Sequence, residues 1–147
     1  MIAPVFVDTN VLVYSRDSRV AAKQERAREW LGFLWDTRRG RVSHQVLHEY
    51  YVTVTRKLKP GMRIAEARAD VRALLPWVSP LDPASLIDSA WALQDRFSLA
   101  YWDALIVGAA ESQGCAHILS EDLPAGLDLG GVTVINPFAL RPEGLIE

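Results

Sequence analysis

The chain has a single cysteine, Cys115, and no long hydrophobic run among its 147 residues. One thiol cannot form an internal disulfide, which excludes a disulfide-stapled scaffold and favours a reducing compartment. No apolar run approaches the roughly 20 residues of a membrane helix, and no basic segment followed by an apolar one marks a secretory signal. We therefore expect a cytoplasmic protein with no membrane partner.

Two further absences narrow the chemistry. No glycine-rich phosphate loop is present, because "GLDLGG" (residues 126–131) comes late in the chain and no helical pattern follows it. His44 and His48 have the i, i+4 spacing of helical zinc ligands, but in "HQVLHE" the glutamate follows the second histidine instead of the first. The sequence therefore favours neither a P-loop nucleotide site nor a zinc protease.

Charge is unevenly distributed along the chain. Residues 1–75 contain 14 Lys and Arg against 8 Asp and Glu, whereas residues 76–147 contain 2 against 10. The composition is that of one globular domain, residues 1–147, so a net +6 and a net −8 predict a basic face and an acidic face. A basic face suits a phosphate-rich ligand, and an acidic pocket suits a metal ion.

Short apolar runs alternate with longer helical patterns. The runs that predict strands are "APVFVD", "RVSHQ", "WVSP", "HILS" and "VTVINP". The intervening patterns predict helices over "VAAKQERAREWLGFLWDTRRG", which Gly40 ends, from Ser43 toward Lys59, and over "MRIAEARADVRALL", "DPASLIDSAWALQDRF" and "YWDALIVGAAESQGC". This alternation predicts a three-layer α/β fold with a mainly parallel central sheet flanked by helices. The carboxyl ends of parallel strands share one edge, where ligands bind.

The helix after Asp82 has the clearest start signal. Asp82 is a favourable N-cap, and Pro83 suits the first helical position. Its apolar stripe consists of Leu86, Ile87, Ala90, Trp91 and Phe97, and for the tryptophans on such stripes we expect a place in the core or in an interface.

Four carboxylates fall near the predicted carboxyl edge. Asp8 follows the first strand and Asp122 follows "HILS", while Glu49 and Asp103 lie on helices that start near the same edge. Each also has a structural explanation: Asp8 as a helix cap, Asp103 as a first-turn charge, Glu49 as a surface ion pair, and Asp122 as a turn residue. Four such coincidences at one edge are less plausible together, which favours a shared site.

Such a cluster needs neutralisation. Two charges about 6 Å apart at an effective dielectric constant near 20 repel by about 3 kcal/mol, so six pairs cost on the order of 15 kcal/mol. That matches the roughly 5–15 kcal/mol that stabilises a whole domain. The acids must therefore be spread apart, partly protonated or neutralised by cations. Oxygen-only ligands favour Mg²⁺ or Mn²⁺.

Four segments resemble the motifs of the PIN-domain family, in particular its small VapC-like toxin endoribonucleases. "VFVDTNVLVY" is similar to the first motif and assigns Asp8, "HQVLHEYYVTVTRK" assigns Glu49, and "FSLAYWDALIVGAA" assigns Asp103. "HILSEDLPAG" is similar to the fourth and assigns Asp122, with Glu121 as a rival. The resemblance also makes Thr9 and Ser120 supporting residues. It spans Val5 to about Pro137, in the expected order.

The resemblance implies a Rossmann-like PIN fold and RNA cleavage with Mg²⁺, or Mn²⁺, held by Asp8, Glu49, Asp103 and Asp122. It also implies an antitoxin partner and a homodimer. Basic residues of the first half are candidates to bind the RNA backbone: Arg38, Arg39, Arg41, Arg56, Lys57 and Lys59.

Two alternatives remain at this point. A phosphoaspartyl phosphatase also places an aspartate after its first strand, but it needs a second acid two residues on, where this chain has Asn10, and no lysine follows Lys59. The other is a catalytically silent PIN-like module that binds RNA or protein without cleaving it. The complete set of acids favours the nuclease.

Overall fold

The central sheet has four short parallel strands. The computed structural model describes residues 3–145. In that range the strands are β1 (Val5–Val7), β2 (Gly40–Arg41), β3 (His117–Leu119) and β4 (Thr133–Ile135). They lie in the order β2-β1-β3-β4, and every pairing is parallel. All four strands therefore end at the same side of the sheet, which we call the carboxyl edge.

Six helices flank this sheet in the described part of the chain, and together they form the predicted three-layer α/β fold. They are α1 (Thr9–Tyr14), α2 (Ala21–Thr37), α3 (His44–Val52), α4 (Ile64–Leu74), α5 (Pro83–Phe97) and α6 (Tyr101–Ser112). A π-helical turn, Thr53–Lys57, extends α3, and 3₁₀ turns occupy Leu75–Trp77 and Pro142–Gly144. No helix within residues 3–145 has the length and apolar character needed to cross a membrane.

The sheet lies at the centre of the hydrophobic core. Val5, Phe6 and Val7 of β1 are fully buried although successive side chains point to opposite faces. Helices must therefore cover both faces of the sheet, which explains why the strand is a continuous apolar run. Trp30 of α2 is the largest fully buried side chain in the described residues.

Three polar residues begin helices as their sequence predicts. The side chain of Asp8 accepts a hydrogen bond from the Thr9 amide, Ser43 caps α3, and Asp82 caps α5. Each cap satisfies an amide that has no partner within its helix. The caps also fix the points at which α1 and α3 leave the carboxyl edge.

Two details of the sequence-based prediction are wrong. "WVSP" is not a strand, because Trp77 closes a 3₁₀ turn and the carbonyl of Trp77 accepts one hydrogen bond from the Val42 amide. Helix α2 ends at Thr37 instead of Gly40, with Arg38 in the left-handed conformation as its C-cap. On α5, Ile87 and Trp91 of the apolar stripe are exposed, so of the two places expected for the tryptophan only the interface remains.

Candidate active site

Asp8 is held rigidly at the carboxyl edge. It directly follows β1 and is only 8% exposed. Its Oδ1 accepts a hydrogen bond from the Thr9 amide at 2.7 Å, and its Oδ2 accepts one from the Ser120 hydroxyl at 2.7 Å. Ser120 directly follows β3, the strand next to β1. The two adjacent strand ends therefore position this carboxylate jointly.

Glu49 is exposed on α3 but is tied to two other helices. The Thr9 hydroxyl donates to Glu49 Oε2 at 2.8 Å, which connects α3 to the start of α1. The Gln45 amide donates to Glu49 Oε1 at 2.7 Å and to the carbonyl of Trp102 on α6 at 3.2 Å. Gln45 lies one helical turn before Glu49, so the two side chains share a face. These bonds orient Glu49 toward Asp8.

Asn10 lies between the acids that follow β1 and β3. Its amide donates to Asp8 Oδ2 and to Asp122 Oδ2, both at 3.2 Å. Its Oδ1 accepts a hydrogen bond from the Glu121 amide at 3.1 Å. The Ser120 hydroxyl oxygen accepts a hydrogen bond from the Asp122 amide at 3.1 Å and so shapes the turn after β3. Asp122 is thereby placed next to Asp8.

Glu121 is engaged elsewhere. Its carboxylate forms an ion pair with Lys23 of α2. The Lys23 ammonium also lies over the rings of Tyr14 and Phe138, 4.8 and 5.2 Å from their centroids. Of the two neighbouring acids, Asp122 bonds to the Asp8 cluster and Glu121 bonds to α2. The geometry therefore favours Asp122 as the fourth acid.

Asp103 lies in the first turn of α6 and is largely exposed. Partial burial raises its pKa, and the nearby charges of Asp122 and Glu49 raise it further. The pKa of Asp8 rises to about 6, chiefly through burial; hydrogen bonds from Ser120 and Thr9 oppose the rise, and the charges of Asp122 and Glu49 add to it. The charges of Asp122 and Glu49 thus raise the pKa of both Asp8 and Asp103, and we call these four acids the electrostatic cluster.

A cleft of about 730 Å³ opens beside this cluster. Glu49 and Asp122 line it together with two basic residues, Arg19 and Lys57. Arg19 pairs with Asp17, which is 5% exposed and also lines the cleft. The cleft thus combines acids that could hold a metal ion with a lysine that can attract a negatively charged substrate.

Comparison with known proteins identifies the fold. The sequence profile of the PIN domain family matches residues 5–123, which include all four acids. The chain belongs to the PIN domain family. No curated protein sequence matches it significantly.

A solved structure shares the fold of this PIN domain. VapBC2 from Rickettsia felis, solved bound to a DNA fragment from their promoter, superposes with a TM-score of 0.59 over 88% of this chain and 96% of that chain. The sequences are 14% identical, so the likeness concerns the fold. The family match confirms the PIN domain family that the motifs indicate, and the structural likeness confirms its fold.

The donor chemistry of this PIN domain fits a hard divalent cation, although the side-chain positions are open. All four candidate ligands are carboxylates, which is the ligand type of Mg²⁺ and Mn²⁺. Within residues 3–145, however, no three His, Cys, Asp or Glu side chains lie close enough together to hold one ion. The amide of Asn10, which donates to Asp8 and Asp122, partly balances the acids in this arrangement.

The six basic residues that the sequence suggests for RNA binding do not share one surface of the PIN domain. Lys57 lines the cleft, and Arg56 and Lys59 are exposed near it in sequence. Arg38 and Arg39 instead precede β2 and therefore lie at the edge opposite the acids. Arg41 in β2 turns back, because its guanidinium donates to the carbonyls of Arg38 and Gly40.

Arg39 is buried, with only 7% of its surface exposed. Its Nε donates to the carbonyl of Ala3 at 3.0 Å, and its guanidinium lies over the ring of Phe33. The structure therefore does not place Arg38, Arg39 and Arg41 beside the acids, and their part in RNA binding stays a prediction.

Sequence reasoning missed three polar residues of the site. Asn10, Gln45 and Lys23 orient Asp122, Glu49 and Glu121, respectively. Only Gln45 has a usable local signal, because it precedes Glu49 by one helical turn. Asn10 and Lys23 reach residues about 100 positions away, and no local pattern indicates such partners.

Proposed function

We propose that this PIN domain is a divalent-metal-dependent endoribonuclease and the toxin of a toxin–antitoxin pair in the cytoplasm. The observation that supports this most strongly is the electrostatic cluster of Asp8, Glu49, Asp103 and Asp122 at the carboxyl edge. Asp8 is a buried carboxylate whose pKa the nearby charges of Asp122 and Glu49 raise further, and a perturbed carboxylate beside a cleft is characteristic of a functional site.

The four acids would hold Mg²⁺ or Mn²⁺ in the active enzyme. When bound, such an ion supplies positive charge against the negative charge that develops on the phosphate being cleaved. The protein supplies position: Ser120 and the Thr9 amide orient Asp8, and the Thr9 hydroxyl orients Glu49. Lys57, which forms no ion pair with a carboxylate in residues 3–145, is available to bind a flanking phosphate.

Metal-dependent cleavage is the direct test. We expect the purified protein to cut single-stranded RNA with Mg²⁺ or Mn²⁺ and to leave it intact with EDTA. Asp103→Asn should cut at least about a hundred times more slowly, since even residues that merely support a metal's ligands contribute 10–100-fold. Sequencing of RNA ends after brief expression of each form would locate the cleavage sites. Cleavage that continues equally in EDTA would contradict the proposal.

A second candidate function is RNA or protein binding without cleavage. One observation favours it: in the described residues, the acids are not close enough to share one ion, and Asn10 donates to two of them. The same experiment separates the two functions, because a binding module retains RNA in gel shifts but yields no metal-dependent products.

Asp122 and Glu121 should differ sharply in their effect on cleavage. Asp122→Asn removes an acid of the cluster and should slow cleavage by at least about tenfold. Glu121→Gln breaks the ion pair with Lys23 but leaves the cluster intact, so we expect less than about a threefold change, because pairs of this exposure contribute little. Cleavage rates under saturating Mn²⁺ provide the comparison. A larger loss in Glu121→Gln would make Glu121 the fourth acid instead.

The proposed partners are RNA, a cognate antitoxin protein and a second copy of this chain. The structural likeness to VapBC2 supports the antitoxin, since that structure is a VapBC assembly. Trp91 of α5 and Trp102 of α6, which are 55% and 65% exposed, support a protein–protein surface. Large exposed aromatic side chains are enriched at such interfaces.

A further inference from the structure

A groove between α3 and α4 carries basic side chains that the proposed mechanism does not use. Arg68 and Arg72 of α4 are one helical turn apart, as are His44 and His48 of α3, and all four are exposed. These residues line a groove of about 420 Å³, which we call the α3–α4 groove.

The floor of the α3–α4 groove is apolar and aromatic. Leu47, Val71 and Leu75 line it, and Leu75 is 46% exposed. Tyr51 lines it as well, and its hydroxyl accepts a hydrogen bond from Arg68 Nε at 3.2 Å. An aromatic ring with a guanidinium beside it is the combination on which unpaired bases stack while their phosphates are neutralised.

The charge of the groove has one sign. No carboxylate is among the residues that line it in the described chain. Helix α4 carries two acids, Glu66 and Asp70, and neither lines the groove; Asp70 is engaged by Arg16 and by the hydroxyl of Tyr50. The groove therefore complements a polyanion.

The groove is continuous with the candidate active site. His48 lines both the α3–α4 groove and the cleft beside the acids, and the next residue is Glu49. A strand whose scissile phosphate lies at the acids can therefore leave the cleft past His48 and continue along Arg68 and Arg72. A ligand unrelated to the substrate would not require this connection.

We infer that the α3–α4 groove binds the part of the RNA substrate that flanks the cleaved bond, with phosphates on Arg68 and Arg72 and an unpaired base against Tyr51. This inference rests on the proposed nuclease function. It predicts a single-stranded segment on one side of the cleavage site, because stacking on Tyr51 requires an unpaired base.

The test is RNA binding in EDTA, where cleavage does not interfere. The probe is a fluorescein-labelled single strand of about 12 nucleotides, within the range of known single-strand sites. Arg68→Ala/Arg72→Ala should weaken its binding at least about tenfold and reduce the slope of log K against log salt by about 1.4, for two lost phosphate contacts. Arg68→Lys/Arg72→Lys should keep the salt slope.

A matched control removes the same charge elsewhere. Arg96→Ala/Arg141→Ala alters two arginines outside the groove and should leave binding within about twofold, because both lie outside the proposed RNA path. A dinucleotide is too short to reach the groove, so all variants should cleave it with Mn²⁺ at the same rate. Circular dichroism checks that each is folded.

Each outcome separates the groove from the nuclease. RNA binding that is unchanged in Arg68→Ala/Arg72→Ala, or reduced only as in the control pair, overturns the groove proposal and favours an acidic protein segment as its occupant, while cleavage by the wild type still supports the nuclease. Groove-dependent binding without metal-dependent cleavage supports the groove and overturns the nuclease. A wild type that binds no RNA overturns the groove proposal.

Discussion

Asp8→Asn should abolish most RNA cleavage and at the same time stabilise the folded protein at pH 8. Cleavage should fall at least about a hundredfold, because the variant loses an acid at the centre of the proposed metal site. Stability should rise because the Asp8 carboxylate is ionised at pH 8 in a buried position beside Asp122 and Glu49. Many active sites trade stability for function in this way.

The sign of the stability effect follows from the pKa of Asp8. Folding raises that pKa from 3.8 to about 6, so between these values the folded protein binds the proton more tightly than the unfolded chain does. The free energy of unfolding therefore falls as the pH rises through this window, by on the order of 2–3 kcal/mol at 1.36 kcal/mol per unit. Asparagine avoids that loss.

Part of the gain is offset by hydrogen bonding. Asp8 Oδ2 accepts from both Ser120 and Asn10, and an amide group in its place loses one of these bonds, at a cost of about 1 kcal/mol. We expect a net gain of about 1–2 kcal/mol at pH 8 that disappears near pH 4. Urea unfolding in EDTA, followed by circular dichroism across this pH range, measures it.

Asp82→Asn is the matched control with the opposite sign. Hydrogen bonds from Ser85 lower the pKa of Asp82, so ionised Asp82 stabilises the fold above its unfolded pKa. The stability of Asp82→Asn relative to the wild type should therefore not increase as the pH rises.

Mn²⁺ should stabilise the wild type but not Asp8→Asn, because only an intact site binds the ion. If Asp8→Asn cleaved RNA as fast as the wild type, Asp8 would not belong to the active site. If the variant were less stable than the wild type at pH 8, the charge of Asp8 would not destabilise the fold.

The sequence predicts the elements of this fold well where the signals are local. The N-caps Asp8, Ser43 and Asp82 each bond within three residues, so a short window contains the information. The positions of Asp8 and Asp122 are also predictable, because each follows an apolar run that indicates a strand. Parallel strands then bring these two ends to the same edge of the sheet. The prediction of a strand at "WVSP" is wrong because the ring of Trp77 packs directly on Gly40. That contact between distant segments outweighs the local preference for a strand.

The parts that the sequence does not predict are long-range. The bond between Ser120 and Asp8 spans 112 residues, and that between Asn10 and Asp122 spans the same separation. Periodicity also fails to distinguish a core face from a surface for a partner, which is why the sequence leaves both places open for Trp91 and only the structure shows it exposed. The position of Arg38 was predictable, since residues that precede a parallel strand lie opposite its carboxyl end.

The largest stability loss is expected for Trp30→Ala. Trp30 is fully buried, and its Nε1 donates to the carbonyls of Pro137 and Leu140 at 3.0 and 2.9 Å. Removing the ring leaves a cavity that costs about 3–5 kcal/mol, and the carbonyls lose a donor, which adds about 1 kcal/mol or more. The sum approaches the whole stability of a domain, so we expect a largely unfolded protein at 37 °C.

Trp30→Phe separates the two contributions. It keeps most of the ring and removes the donor, so the free energy of unfolding should fall by about 1–3 kcal/mol in urea titrations. A change below about 0.5 kcal/mol in Trp30→Phe would show that these bonds do not hold the C-terminal segment.

That segment matters because it supports the site from outside the matched PIN region, residues 5–123. The amide of Ser120 donates to the carbonyl of Ile135, and Phe138 packs against Tyr14 beside Lys23. A loosened C-terminal segment should therefore free Ser120 and weaken its hold on Asp8. In Trp30→Phe, we expect the Mn²⁺ concentration for half-maximal cleavage to rise a few-fold, while the rate at saturating Mn²⁺ changes less. An unchanged metal requirement in a clearly destabilised variant would show that the segment stabilises the fold without positioning the acids.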